Sequence, residues 1–489
     1  MCNRQRILRL CLLGAVLGGM LIMRSSTAQA AGTVIGSGTV ASCQAPAAAA
    51  ALTTAVSVGG VITFSCGGGP VTIPLTSHLT ISANTTLDGT GQQVTIHGPG
   101  PVVTVRSGIV FTALGLTITG GAATFGGGIR NNGGTVTLIN STLSGNTANG
   151  PGGGGMYTSS GTVTLINSTI SGNAIPDNNS NSGLGAGIFI QNGTVTLIDS
   201  TISGNTGGFF GGGGGIANYG GTVTLINSTL SNNSDGIGGG IYNNGGTVTL
   251  ANTILAGNTL SGGGPGPDCD GSLTSQGYNS IGTTSGCTVS ATTGDLFDQE
   301  PTLGALANNG GPTQTMALQA SSLGIDAIPP AHCTLHIDQR GYVRPGTLKT
   351  GASRTNCDIG AYETNSTPDT TKPTCSVNLV VGPPAQATFT CQDPIAGLAE
   401  MLVTKEVNAT NLAPAFTVGQ TTPGTVTFTK SNQSQQASVG IQVTDLAGNI
   451  ATFDPLFTSI SQDGHRPTLQ LFNQIAPSDH LLHIANGSP

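Results

Sequence analysis

Asp88 and His97 offer a carboxylate and an imidazole for general acid–base work. Asp88 is followed by Gly89, however, and Asp-Gly is a strong turn signal, so a structural role is the reading adopted for both. Between Gly120 and Pro267 the only charged residues are Arg130, Asp177, Asp199 and Asp235, with no Lys, Glu or His. Asp177 and Asp235 fall in Gly/Asn loops and read as turn formers, so this stretch is expected to be catalytically empty. Charge returns after Asp295, where Asp326, Asp338, Arg340, Arg344, Asp358 and Glu363 crowd into a short segment. Two arrangements suit them: carboxylates held by Arg forks, or a calcium site built from Asp side chains and turn carbonyls. The structural one is preferred. His332 and His336 flank Cys333, but Cys333 has a partner available in Cys357, so no metal site is expected there. No catalytic or cofactor-binding residue is assigned, and structural calcium stays an unsupported option.

The elements that would position such groups are set by a repeat. TVTLINSTLSGN, from Thr135, returns from Thr162, Thr194, Thr222 and, with drift, Thr247, every 25–32 residues. That period suits one coil of a parallel β-solenoid and lacks the helical pattern of ankyrin or tetratricopeptide units. Each coil divides into three β-prone segments, GGGIRNN, TVTLIN and a short STLSGN. Period-two alternation turns Val136, Val163, Val195, Val223 and Val248 inward as one column, with Leu138, Leu165, Leu197, Leu225 and Leu250 as another. Asn140, Asn167, Asn227 and Asn252, with Asp199 as the variant, fall where the strand turns and are read as a polar ladder.

Outward positions follow from the same alternation. Thr135 and Thr137, Thr162 and Thr164, Thr194 and Thr196, Thr222 and Thr224, and Thr247 and Thr249 form two files of hydroxyls. Ile139, Ile166, Ile198 and Ile226 are outward by strict counting, which would expose an apolar band; the preferred reading is that the turn tucks them inside.

Arg4, Arg6 and Arg9 precede an apolar run, Leu10 to Met23, and Ala28-Gln29-Ala30 has the form of a cleavage site, so an export signal is expected at 1–30. An exported chain keeps its thiols oxidised. Of the eight remaining cysteines, Cys43 with Cys66, Cys269 with Cys287, Cys333 with Cys357 and Cys375 with Cys391 are sequence neighbours and the expected bridges, although eight cysteines allow 105 pairings. The Ala-rich run Ser42 to Val58 is a candidate capping helix for the exposed end of the stack. The expected organisation is a signal at 1–30, a cap at 31–60, a parallel β-helix at 61–294, terminal coils and cap at 295–364, a linker at 365–373, a small β-sandwich at 374–457 and a polar tail at 458–489. Net charge is −7, a poor match to phosphate, and no segment after the signal is expected to span a membrane. Aromatic residues make up only 4%, which leaves few platforms for stacking sugars or bases.

The repeat GGGI…TVTLINSTISGN resembles the right-handed parallel β-helix family of secreted bacterial proteins, a fold shared with pectate lyases and polymorphic outer-membrane adhesins, over Val61 to Tyr278. LGALANNGGPTQTMAL, GIDA, DQRGYVRP and CDIGAYE, from Leu303 to Glu363, resemble the choice-of-anchor Q module found after such β-helices. VTDLAGN, Val443 to Asn449, is similar to the last hairpin of bacterial immunoglobulin-like modules. Together these resemblances imply an all-β, secreted or cell-surface monomer with a structural and adhesive role, meeting a surface polysaccharide or another surface protein. A polysaccharide lyase or glycoside hydrolase is the alternative the fold implies. A second is ice binding, since the Thr files are similar to the Thr-x-Thr arrays of β-solenoid antifreeze proteins.

Overall fold

The computed structural model describes residues 32–176, 183–346, 355–380, 386–407, 409–411, 416, 418–431, 437–453, 456–459 and 469–472. The expected signal peptide, Asp177 and most of the tail lie outside them. The described chain divides into two units, Gly32–Asp369 and the residues from Thr370 onward.

The first unit is a parallel β-solenoid of about 9 turns. β-Branched residues that suit a pleated surface dominate its strands, and the repeat coils follow the three expected segments, the first two running together as one strand in Ile129–Ile139 and Met156–Ile166. In one representative coil these are Ile188–Ile190, Thr194–Ile198 and Thr201–Ser203. The repeats stack in register, Val163 opposite Val195 and Leu165 opposite Leu197, then Val223 and Leu225 beyond them. Both columns are 0–1% exposed and belong to one continuous core. The corner between the first two segments needs a residue without a side chain: Gly193 has φ +99°, and a Cβ there would lie 2.4 Å from the Gly161 carbonyl oxygen of the coil below.

At the N-terminal end the Ala-rich run forms two helices, Val40–Gln44 and Pro46–Val58, because Pro46 fits the start of a second helix and cannot continue the first. Ala48, Ala49, Leu52, Ala55 and Val56 join the solenoid core and cover its open end. Strand pairing starts earlier than the sequence pattern indicated: Thr33–Ile35 pairs in parallel with Ile62–Phe64, ahead of the capping helices. The bridges are Cys43–Cys66, Cys269–Cys287, Cys333–Cys357 and Cys375–Cys391, the sequence neighbours.

The main amide ladder runs through the last Asn of each repeat, one that sequence reasoning passed over. Asn146 Nδ2 donates to Asn173 Oδ1 at 3.0 Å, Asn173 to Asn205, Asn205 to Asn233 and Asn233 to Asn258, each at 2.9 Å. Asn258 Nδ2 then donates to Asp268 Oδ1 at 3.0 Å, where the series ends. Backbone N–H groups of Asn146, Asn173, Asn205, Asn233 and Asn258 donate to the same acceptors. A second file of Ser141, Ser168, Ser200, Ser228 and Thr253 accepts backbone N–H groups from coil to coil in the same way.

The second unit is two antiparallel sheets whose facing sides share a core of Phe389, Phe428, Leu398, Met401, Val439 and Ile441. Leu469–Phe472, placed by sequence in the polar tail, forms a strand against Leu456–Ser459.

Asn205→Ala removes five buried side-chain hydrogen bonds. The expected cost is about 3 kcal/mol. Asn140→Gly, which keeps the left-handed corner, should cost on the order of 1 kcal/mol or less. Denaturant titration of the two variants checks this; equal losses would show that the ladder is no stronger than the corner.

Candidate functional site

The residues read as a polar ladder occupy a left-handed corner. Asn140, Asn167, Asp199, Asn227 and Asn252 have φ of 50°, 50°, 42°, 47° and 52°. Asn and Asp tolerate this conformation better than other residues with a Cβ. Conformation therefore explains the column better than an amide chain does, although Asn227 hydrogen-bonds the Asp199 carboxylate across coils.

The outside of this corner is covered by the chain returning after the solenoid. Thr313 Oγ1 donates to Asn167 O at 2.8 Å, Thr169 Oγ1 to Gln314 O at 2.7 Å and Thr201 Oγ1 to Gln339 Oε1 at 2.6 Å. Ala361 N donates to Thr229 Oγ1 at 3.0 Å, and Gly360 N to Asn252 O at 2.9 Å. The segment expected to cap the end thus lies along the flank of several coils. Ile254, Ala256 and Tyr278 of the solenoid share a small core with Leu318, Ile328 and Ile359 of this segment. Ile139, Ile166 and Ile226 are 1%, 2% and 5% exposed without joining the Val/Leu core, and Ile198 is half-buried. There is accordingly no exposed Ile band, and the Ile residues are not tucked into the main core either.

Arg forks hold the charged segment. Arg340 donates to Asp338 Oδ2 through Nε at 2.9 Å and Nη2 at 2.6 Å, and lies over the rings of Tyr342 and Tyr362 at 3.9 and 3.7 Å. Arg344 reaches Glu363 Oε2 at 3.1 Å and Asp199 Oδ1 at 3.3 Å, with three backbone carbonyls satisfying its other donors. Asp358 accepts from the backbone N–H groups of Asp326 and Thr364. Asp199 is therefore the one acid in an Asn column because that coil meets Arg344. Burial pushes Asp199 up to about 8 and Glu363 up to about 7, with Arg344 pulling both the other way. Burial works against the Arg344 charge, but Asp199, Glu363, Asp338 and Asp358 outweigh it and raise its pKa.

The other sequence candidates separate. Asp88 accepts from Thr90 N in its turn on the Thr85–Asp88 strand, whereas His97 ends Gln93–His97 in a different sheet. The His332 ring packs on Tyr278 at 4.8 Å. In the Thr array, Thr162, Thr194, Thr222 and Thr247 are exposed and Thr135 is half-buried. The second file is not a free surface: Thr137 and Thr164 are buried, and Thr196, Thr224 and Thr249 are half-buried.

Two groupings were not foreseen. Asp268 and Glu300 meet beside Gly282: a Cβ there would lie 2.3 Å from Glu300 Oε1 and 2.7 Å from Asp268 Oδ2, so these oxygens are at most 5.0 Å apart. Burial raises both pKa values, and Asp268 raises Glu300 further. That separation suits a pair of hydrolytic carboxylates. Asp268 is 1% exposed, however, and its oxygens already accept from Asn258 and Thr283, so it ends the ladder and offers no face to a substrate.

The second grouping is an aromatic file on the outside of the first segment of the coils. Phe125, Tyr157, Phe189, Tyr219 and Tyr242 follow one another with ring centroids 5.0, 5.5, 5.5 and 6.0 Å apart. Tyr157 and Phe189 are nearly buried, Phe125 and Tyr242 half-buried, and Tyr219 exposed. Polar groups line it: Arg130 stands 5.9 Å over Phe125, Tyr157 OH donates to Gln191 Oε1, and Tyr219 hydrogen-bonds Tyr242 beside Asp270. The signal lay one residue after the repeated apolar position. Arg130, Tyr157, Phe189, Ala217 and Tyr242 are in register there, and Tyr219 fills the gap that Ala217 leaves.

No protein-family model, curated protein or solved structure matches this chain. The geometry alone carries the functional reading.

The raised Asp199 pKa makes the docked flank pH-sensitive. The native chain holds a proton there that the unfolded chain, at 3.8, releases. Stability from this group is complete below about pH 4 and declines as pH rises toward about 8. Asp199→Asn should remove up to one proton, about 1.4 kcal/mol per pH unit, from the slope of stability across that window. Denaturation over the same range checks it; an unchanged slope would place the titration elsewhere.

Proposed function

We propose that this chain is a secreted or cell-surface protein with a structural and adhesive role, a solenoid rod that meets surface polysaccharide through its aromatic file. The file carries the reading, since five consecutive coils each add a ring, with Tyr219 exposed and Phe125 and Tyr242 half-buried along a surface rich in Gly, Ser, Thr and Asn. Aromatic rings with hydroxyl ends, such as the bonded pair Tyr219 and Tyr242 beside Asp270, offer the apolar face and polar edge that a sugar ring needs. The spacing supports an extended, repeating ligand laid along the solenoid. Low overall charge favours a neutral glycan over an acidic one.

Export is supported by four disulfides in one chain. Among the described residues no helix is long and apolar enough to cross a membrane. On this reading the second unit is an immunoglobulin-like spacer, and the flanking segment, similar to choice-of-anchor Q, serves to lock the rod. Among the described residues, lyase or hydrolase activity has no accessible acid pair to support it, and ice binding has a single exposed Thr file.

The test is retention on a panel of immobilised neutral and acidic polysaccharides. The full chain should bind at least one neutral glycan, and the Tyr219→Ala/Tyr242→Ala double variant should lose about tenfold or more, as expected for two stacked rings. Both proteins should keep the same thermal transition. Cleavage of any glycan on the panel, or equal binding by the variant, would overturn the proposal.

A further inference from the structure

Asp235 is a buried carboxyl that neither the solenoid nor the aromatic file uses. Its residue is 0% exposed, Oδ1 accepts from Gly236 N at 2.8 Å, and Oδ2 has no hydrogen-bond partner. An unpaired buried charge is costly, so the group is best accommodated neutral. Among the described residues no Lys, Arg, His or second carboxylate shifts its titration; burial pushes it up to about 8 against the Gly236 N–H bond. The neighbouring strand brings Thr259 and Leu260, and the segments on either side bring Ser234, Gly236 and Gly183, none of them titratable. Asp177 lies outside the described residues.

The carboxyl is roofed by the Gly207–Gly211 loop. A Cβ on Gly207 would lie 2.0 Å from Asp235 Oδ2, and one on Gly211 would lie 2.4 Å from Oδ1. Gly207 needs glycine because the Asp235 carboxyl fills the space, and at Gly211 the Gly183 carbonyl oxygen, 2.0 Å from the same Cβ position, fills it together with that carboxyl. The loop is tied down by few bonds: Gly207 N to Ser234 O at 2.7 Å, Gly236 N to Gly208 O at 3.1 Å and Ser261 Oγ to Gly208 O at 3.2 Å. At its tip Phe209 and Phe210 are 48% and 65% exposed, their centroids 5.0 Å apart.

We propose that Asp235 and the Gly207–Gly211 loop form a proton-controlled clasp, closed over the neutral carboxyl and released when it ionises, which sets the presentation of the Phe209–Phe210 pair. The clasp stands apart from the polysaccharide reading and survives its failure. Opening lets the carboxyl reach water and lose its proton at any pH above its ordinary value. The open population therefore grows with pH from about 4 to about 8, by up to tenfold per pH unit, and levels off once the closed form also ionises.

Hydrogen exchange of the full chain, corrected for the intrinsic pH dependence of amide exchange, reads this directly at Gly207, Gly211 and Gly212. Protection there should fall by up to tenfold per pH unit across that window, while the Asn173 and Asn205 amides of the ladder keep theirs. In Asp235→Asn the loop protection should become independent of pH. Gly207→Ala, whose Cβ takes the place of Oδ2, should leave Gly211 and Gly212 unprotected at every pH with the ladder intact. A flat profile in the parent chain, the same slope in Asp235→Asn, or full loop protection in Gly207→Ala would each overturn the clasp.

Discussion

Everything in the first unit depends on buried amides passing one hydrogen bond from coil to coil. Each Asn in the ladder donates Nδ2–H toward the C-terminal coils and accepts on Oδ1 from the coil before, so the bonds share one direction. Aligned bonds polarise one another, and a series of this kind needs a donor that accepts nothing at one end and an acceptor that donates nothing at the other. Gly121 N supplies the first, donating to Asn146 Oδ1 at 3.0 Å. Asp268 supplies the second with a carboxylate oxygen. A carboxylate at the end toward which every N–H points meets the positive end of the aligned dipoles. The exact repeats stop there because Asn in that place would leave its own amide N–H groups seeking a partner.

The ladder fixes the coils against one another but leaves the left-handed corner open on its outer side. That side carries Ile139, Ile166 and Ile226 together with the hydroxyls of Thr169, Thr201 and Thr229. The returning segment satisfies those hydroxyls one by one and makes Asp199 its anchor through Arg344. A buried ion group of this kind contributes little net stability, because desolvation offsets attraction. Its effect is registry: an Arg that finds an acid of the repeat column only at the third repeat fixes where the segment lies.

The solenoid was legible in the sequence because its determinants are local and repeated. Val and Leu alternation, Asn where φ is positive and Gly at the tight corners recur in every copy, so period and strand faces could be read directly. The amide ladder at the last Asn of each repeat went unread beside the corner column of Asn140, Asn167, Asp199, Asn227 and Asn252, since both columns recur equally and only the position of the chain relative to the core tells an interior amide from a corner one. The flanking dock depends on contacts between residues more than a hundred positions apart, such as Thr201 with Gln339, and no periodicity reports those. The aromatic file was missed for a related reason: composition averaged over the chain hides a handful of rings that folding gathers into one line.

Departures from the repeat are where the chain does more than stack. If the repeat alone specified the rod, Asn would stand at 199, and the Asp found there takes the C-terminal segment instead. Asp235 replaces nothing in the ladder and is roofed by Gly207 and Gly211. Asp268 ends the amide series. The ring positions alternate Arg, Tyr, Phe, Ala and Tyr while the Ile or Met beside them stays apolar in every coil. A scaffold whose conserved pattern is already satisfied internally has no free chemistry to offer, so recognition must reside in positions the pattern leaves free. On this solenoid those positions lie mainly on the outside of the first segment of the coils and in the glycine loops beside it.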